Sequence, residues 1–151
     1  MKLELLYEMH ADLKPPVVVG PGPYGTRMIF DVTGGSFAGP RLRGRVLPSG
    51  ADWLLVRPDG YGLLDVRAAL ETEDGAFAYA QYHGVIEMGP RVQALVASGG
   101  STGYGEIYLV TQPRFETGDP RYAWLNAVMA VGEGRMLPNA VEYRVYHALP
   151  G

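Results

Sequence analysis

The chain contains no cysteine. That excludes a disulfide framework, a zinc–thiolate site and a thiol nucleophile. Long hydrophobic runs are also missing. Even runs such as Val17-Val18-Val19 and Ala127-Val128-Met129-Ala130-Val131 fall far short of the ~18 apolar residues that a membrane-spanning helix needs. The first 13 residues, MKLELLYEMHADL, carry Glu4, Glu8 and Asp12 and lack the apolar stretch of a signal peptide. The expected location is therefore the cytoplasm, with no membrane partner. Neither sign of charge dominates. Thirteen Lys and Arg against 16 Asp and Glu leave a net charge of −3, so bulk charge does not point to nucleic acid or an anionic surface.

Several catalytic signatures are absent. Ser98-Gly99-Gly100-Ser101 only superficially suggests a GxSxG elbow. GPGPYGTR lacks the GK[ST] ending of a phosphate-binding loop, and GSTGYG is a lone glycine cluster. The three histidines, His10, His83 and His147, lie far apart and form no HExxH pair. No metal and no cofactor is expected.

What is present is punctuation. The 151 residues hold 21 glycines and 12 prolines, which argues against long helices. At 47% hydrophobic and 19% charged, the balance is globular, and the length suits one domain over residues 1–151. Turn signals recur: GPGPYG at 20–25, GG at 34–35, PSG at 48–50, PDG at 58–60, EDG at 73–75, GG at 99–100, TGDP at 117–120 and GEG at 132–134. Short segments with period-2 alternation lie between them. That is the pattern of an all-β sandwich or barrel. ADWLLV, GLLDVRAALET and AFAYAQYHGVIEM, joined by Asp-Gly turns, read as a three-strand antiparallel meander. TRMIFDV, RLRGRVL, EIYLVTQPRFET, AWLNAVMAVG and NAVEYRVYHAL read as further strands. LELLYEMHADL reads as a strand with Leu3, Leu5, Tyr7 and Met9 on one face, or as a short helix. RVQALVAS after Gly89-Pro90 is the expected short helix. Eight or nine strands suffice to close an antiparallel β-barrel.

Alternation sorts the candidate site residues. Asp65 and Arg67 share one face of GLLDVRAALET, either as a solvated charge pair or as the polar end of a cavity. Tyr82 lies on the face opposite Phe77, Tyr79, Gln81 and His83, after a run of alanines that would leave space beside its phenol. Asp52 shares the apolar face of Leu54 and Val56. It is either a turn-capping carboxylate or a desolvated acid. The segment FETGDPRYAWLN gathers Glu116, Tyr122 and Trp124, as a lid over a barrel mouth or as a packed corner. The expected site takes Asp52, Arg67, Tyr82 and Glu116 as catalytic groups, and Asp65, His83, Tyr122 and Trp124 as ligand-binding groups. Because alternation separates Asp52 and Tyr82 from Arg67, a bulge or a rim position is required for at least one of them. In AWLNAVMAVG both faces are largely apolar, which predicts a homo-oligomer, a dimer or a trimer.

The order of short motifs carries a resemblance. TGGSFAGPRLRGRVLPSGADW, RPDGYGLLDVRAALETEDGA, YHG and PRFETGDPRYAWLN resemble the family called domain of unknown function 3237, over residues 5–146. The resemblance implies a closed antiparallel barrel similar to allene oxide cyclase, dirigent and calycin-like proteins, with no assigned activity. It also implies an Arg just before Thr111, where this chain has Val110. The expected function is binding of a small organic molecule, aromatic or apolar, in the barrel. Isomerisation, cyclisation or hydration by acid–base groups would need no cofactor. The alternatives are a non-catalytic carrier barrel and a structural oligomer with a filled barrel.

Overall fold

The alternation of GLLDVRAALET is realised as one of nine strands in a computed structural model that describes residues 1–151. The strands are β1 (Lys2–Leu13), β2 (Val17–Gly22), β3 (Gly25–Ala38), β4 (Arg43–Val56), β5 (Tyr61–Thr72), β6 (Phe77–Glu87), β7 (Leu109–Glu116), β8 (Ala130–Leu137) and β9 (Ala140–Leu149). They form one antiparallel sheet in the order β1-β9-β8-β7-β6-β5-β4-β3-β2, and β1 also pairs with β3. That last pairing closes eight strands into a barrel, so their backbone groups find partners without open edges. β2 is an additional strand laid along β3. The short helix expected after Gly89 is α1 (Pro90–Ala97). No helix is long and apolar enough to cross a membrane.

β5 shows the sorting most cleanly. Leu64, Val66, Ala68 and Leu70 are buried inside the barrel, and the residues between them face outward.

Two of the expected turns are instead bulges within long strands. The β3–β4 register jumps between Asp31 and Ser36, around Gly34-Gly35. The β4–β5 register jumps between Val46 and Gly50, around PSG. RLRGRVL from Arg43 onward and ADWLLV are thus one 14-residue strand. Bulges bend strands, and long strands must bend to wrap a barrel. Gly35 has φ 140°, and a Cβ there would lie 2.0 Å from the His10 carbonyl oxygen. Gly50 has φ 94°, and a Cβ would lie 2.0 Å from the Arg67 carbonyl oxygen. No side chain fits at either place.

A third bulge corrects the face assignment in β1. The β1–β9 register skips Leu6. Tyr7 and Met9 are buried, but Leu3 and Leu5 are exposed, because one inserted residue flips every side chain before it.

AWLNAVMAVG is not one strand. Residues Pro120–Ala127 form 3-10 turns, and β8 begins at Ala130. The two-faced apolar strand behind the expected oligomer therefore does not exist. The segment plugs one end of the barrel, where Leu125 is only 1% exposed. Beneath it, Tyr7 packs against Phe37 and Phe115 with ring centroids 5.7 and 6.1 Å apart. β7 pairs with β8 only at Val110 and Thr111. Pro113, which has no N–H to donate, lies where β8 has already diverged.

Candidate functional site

One end of the barrel is plugged; the other leads into a cavity of about 260 Å3. Its wall is mainly apolar, with Phe30, Leu54, Leu64, Val66, Ile86 and Leu109 among the lining residues. Leu13 to Pro16, Leu137 to Asn139, and Val96 with Gly99-Gly100 form its rim. The barrel is therefore not filled. Three polar side chains interrupt the apolar wall: Asp52 on β4, Tyr82 on β6 and Tyr143 on β9.

Asp52 reaches the cavity because β4 has regained alternation after its bulge, putting Asp52 and Leu54 on the inner face. Its Oδ1 accepts a hydrogen bond from the backbone N–H of Asp65 at 3.2 Å. Burial pushes its pKa up to about 7; the Asp65 charge adds to the rise, while the Asp65 N–H and the Arg27 charge oppose it. The desolvation of an ionised carboxylate in an apolar cavity is the dominant cause.

Tyr82 and Tyr143 are buried, with ring centroids 5.6 Å apart and planes at 74°, an edge-to-face pair. Burial pushes both phenols upward, and each also feels the charge of Asp52. Both therefore stay protonated near neutral pH and act as hydrogen-bond donors. The cavity thus brings together one acid that titrates near neutrality and two neutral phenols. That is the chemistry of proton transfer with stabilisation of a developing oxyanion.

Of the eight residues expected from sequence, the structure brings Asp52 and Tyr82 together. It places the other six elsewhere. Arg67 is exposed on the outer wall, its guanidinium 5.4 Å from the Trp53 ring centroid. The bulge in β4 ends before Asp52, and β5 has none over this stretch, so nothing turns Arg67 inward. Asp65 also faces outward, and only its backbone N–H reaches the site. His83, opposite Asp65 on β6, is exposed.

Glu116, Tyr122 and Trp124 lie at the plugged end, far from the cavity rim. Glu116 is exposed beside Tyr79. The Tyr122 hydroxyl donates to the Asp74 carboxylate at 2.9 Å. The Arg41 guanidinium stacks 3.6 Å from the Trp124 ring centroid. The Thr117 N–H donates to Asn126 Oδ1 at 2.8 Å, and Asn126 Nδ2 donates back to the Thr117 carbonyl at 3.0 Å. FETGDPRYAWLN is a packed corner, not a lid over the cavity.

Tyr143 was not among the expected residues. Its signal was the alternation in NAVEYRVYHAL, where Tyr143 and Val145 are buried together. Sequence alone does not place that face across a barrel from Asp52.

Val110, at the position where the resemblance implies Arg, is on the outward face of β7 between Val85 and Glu133. The departure therefore does not alter the cavity. No group of three or more His, Asp or Glu side chains is arranged to hold a metal ion.

Comparison with known proteins agrees with this architecture. The chain is 38% identical over 127 residues to a UPF0311 protein of Rhodopseudomonas palustris, covering 83% of this chain and 82% of that one. The solved structure of a conserved protein of unknown function from the same organism superposes with a TM-score of 0.89 at 31% identity, covering 99% of both chains. A β-barrel-like protein from Acinetobacter baumannii gives a TM-score of 0.82 at 36% identity, over 97% of this chain and 94% of that one. A protein of Penicillium roqueforti called PR-toxin biosynthesis cluster protein 7 is 27% identical over 150 residues, covering 86% of this chain and 80% of that one. The model for proteins of unknown function DUF3237 matches residues 1–148, and the chain belongs to that family.

Proposed function

We propose that the barrel binds a small, mainly apolar organic molecule and rearranges it by cofactor-free acid–base chemistry. One observation carries this reading: a carboxyl group whose pKa is about 7 lines an apolar cavity beside two protonated phenols. A general acid or base is most effective when its pKa is close to the working pH.

The reaction class that fits best is isomerisation through an enol. Asp52 takes a proton from a carbon next to a carbonyl. The electron pair of that C–H bond moves toward the carbonyl oxygen, where a phenol of Tyr82 or Tyr143 donates a hydrogen bond. Asp52 then returns the proton to another carbon of the same molecule, and the carbonyl re-forms. Nothing is oxidised overall and no co-reactant is consumed. Cyclisation or hydration would use the same groups. The name of the Penicillium roqueforti relative, which places that protein in a toxin biosynthesis cluster, is in keeping with a small organic substrate.

A cavity of about 150 Å3 holds benzene. On that scale, about 260 Å3 takes a body of about ten non-hydrogen atoms. Mass spectrometry of the protein purified under native conditions, searching for a bound molecule of that size, supplies the ligand. Turnover of that ligand by the native chain but not by Asp52→Asn supports the enzyme. Binding without turnover in both supports the carrier barrel instead.

A further inference from the structure

Resting on the reading of the cavity as a ligand site, we propose that its rim recognises a carboxylate, so that the ligand is an amphipathic acid with its apolar body inside and its charge at the mouth. The rim residues Lys14 and Asn139 carry the argument. Apart from Asp52, Lys14 is the only charged residue lining the cavity. It is exposed and forms no ion pair, whereas the only other lysine, Lys2, is paired with Glu4 at 2.9 Å. Asn139 also lines the rim, is exposed, and is bonded within the protein through its backbone carbonyl and not its side-chain amide.

The two residues are fixed relative to one another by the backbone. The N–H of Leu13, next to Lys14, donates to the Asn139 carbonyl at 2.8 Å, and the Lys14 N–H donates to the Asp31 carbonyl at 3.0 Å. Asn139 is the only residue other than glycine with positive φ, at 54°. It holds that conformation in the β8–β9 turn, which aligns it with the end of β1. An ammonium and an amide NH2, both without protein partners, thus border an apolar opening. Both are donors, and together they favour a charged acceptor.

Asp52 fixes which way round such a ligand lies. Once Asp52 is ionised, a second carboxylate deep in the apolar wall would meet like charge in a poorly solvated place. The acid must therefore stay at the rim, which leaves the uncharged reacting part beside Asp52, Tyr82 and Tyr143.

The test uses two probes of nearly the same shape, one an anion and one neutral: 4-oxo-4-phenylbutanoate and its primary amide. Each has a carbonyl-bearing apolar body of the size the cavity takes. Dissociation constants are measured by calorimetry between pH 6 and 8. The acid should bind about fivefold more tightly than the amide, the upper end for a partly exposed ion pair. In Lys14→Gln that ratio should fall to about one. Asn139→Gly keeps the backbone conformation while removing the amide, and it should reduce the ratio as well.

Equal binding of acid and amide to the native chain, or a ratio that survives both substitutions, overturns the carboxylate rim. The cavity reading is checked separately with the amide alone. Its binding should change with pH around 7 in the native chain and lose that dependence in Asp52→Asn. If neither probe binds, both readings fall.

Discussion

Asp65 donates its backbone N–H to Asp52 Oδ1 at 3.2 Å, across two adjacent strands whose side chains point to opposite sides of the barrel wall. The β4–β5 ladder pairs Asp52 with Val66 and Leu55 with Leu63, but neither Trp53 with Asp65 nor Leu54 with Leu64. Two groups that a continued ladder would join are held by side chains instead. The Asp65 N–H goes to Asp52, and the Trp53 carbonyl accepts from Arg27 Nη1 at 2.7 Å. The opening in the ladder satisfies one oxygen of a carboxylate inside an apolar cavity. It also couples the outer wall to the site.

Asp52 makes stability depend on pH. Its pKa is raised from 3.8 to about 7 on folding, so between these values the folded chain holds a proton that the unfolded chain has released. The contribution of this group is fully present below about pH 4 and is lost as pH rises to about 7. At roughly 1.4 kcal/mol for each pH unit between the two values, the loss is about 4 kcal/mol. Asp52→Asn should abolish this slope, leaving the variant more stable than the native chain at pH 8. Urea denaturation at pH 4.5, 6 and 8 measures it. Parallel pH profiles for the two proteins would show that Asp52 is not desolvated.

Asp65 acts on Asp52 through its charge as well as its N–H. Asp65→Asn keeps the backbone donor and removes the charge that helps to raise the Asp52 pKa. The Asp52 titration, followed by carboxyl-carbon NMR, should move to lower pH. An unchanged or higher midpoint would contradict the coupling.

Arg67→Ala should leave ligand binding untouched. The side chain lies on the outer wall over Trp53, and an exposed cation–π contact contributes about 0.5–1 kcal/mol. Chemical denaturation should show a loss no larger than that, and affinity for a cavity probe should match the native chain.

Gly35→Ala should be among the most destabilising single-methyl additions. It combines positive φ with a Cβ 2.0 Å from the His10 carbonyl oxygen, and the barrel closes at this pairing of β1 with β3. Strain at such a position costs of order 1–3 kcal/mol before any clash is counted. The melting temperature should fall by at least about 5 °C, roughly what 2 kcal/mol produces in a chain of this size.

We propose that the chain self-associates as a dimer or trimer, through residues other than a two-faced AWLNAVMAVG strand. Phe77, Tyr79 and Met129 are exposed on the outside, and β2 leaves Val17, Val18 and Val19 exposed beside a free edge. Light scattering at micromolar concentration should give a multiple of 16.4 kDa. A monomeric mass would refute it.

Much of the barrel is legible in the residues. The period of two in GLLDVRAALET, the Asp-Gly turns of the meander and the Pro-led helix after Gly89 are local features, and each forms as its residues suggest. Misreadings arise where local signals have two outcomes. Gly-Gly and Pro-Ser-Gly serve a tight turn and a bulge equally well, since both need positive φ. Which one forms depends on whether the next strand turns back or continues around the wall. FETGDPRYAWLN is rich in reactive side chains, but their hydrogen bonds go to one another and to Asp74 and Phe77 at the β5–β6 turn, not to the cavity.

The sequence by itself determined the faces of the strands that run without a bulge past the site, though not those of β1 before Leu6. It separated Asp52 and Tyr82 from Asp65 and Arg67, because side chains two apart on a strand share a side and neighbours do not. It did not determine which face enclosed the cavity, nor that Tyr143 of β9 would meet Tyr82 of β6. Those strands are not neighbours in the sheet, with β8 and β7 lying between them. Only closure through the β1–β3 pairing curves the sheet until its inner faces meet. The Asp52 pKa has the same origin: every opposing strand contributes apolar surface to the place where water would otherwise solvate the charge.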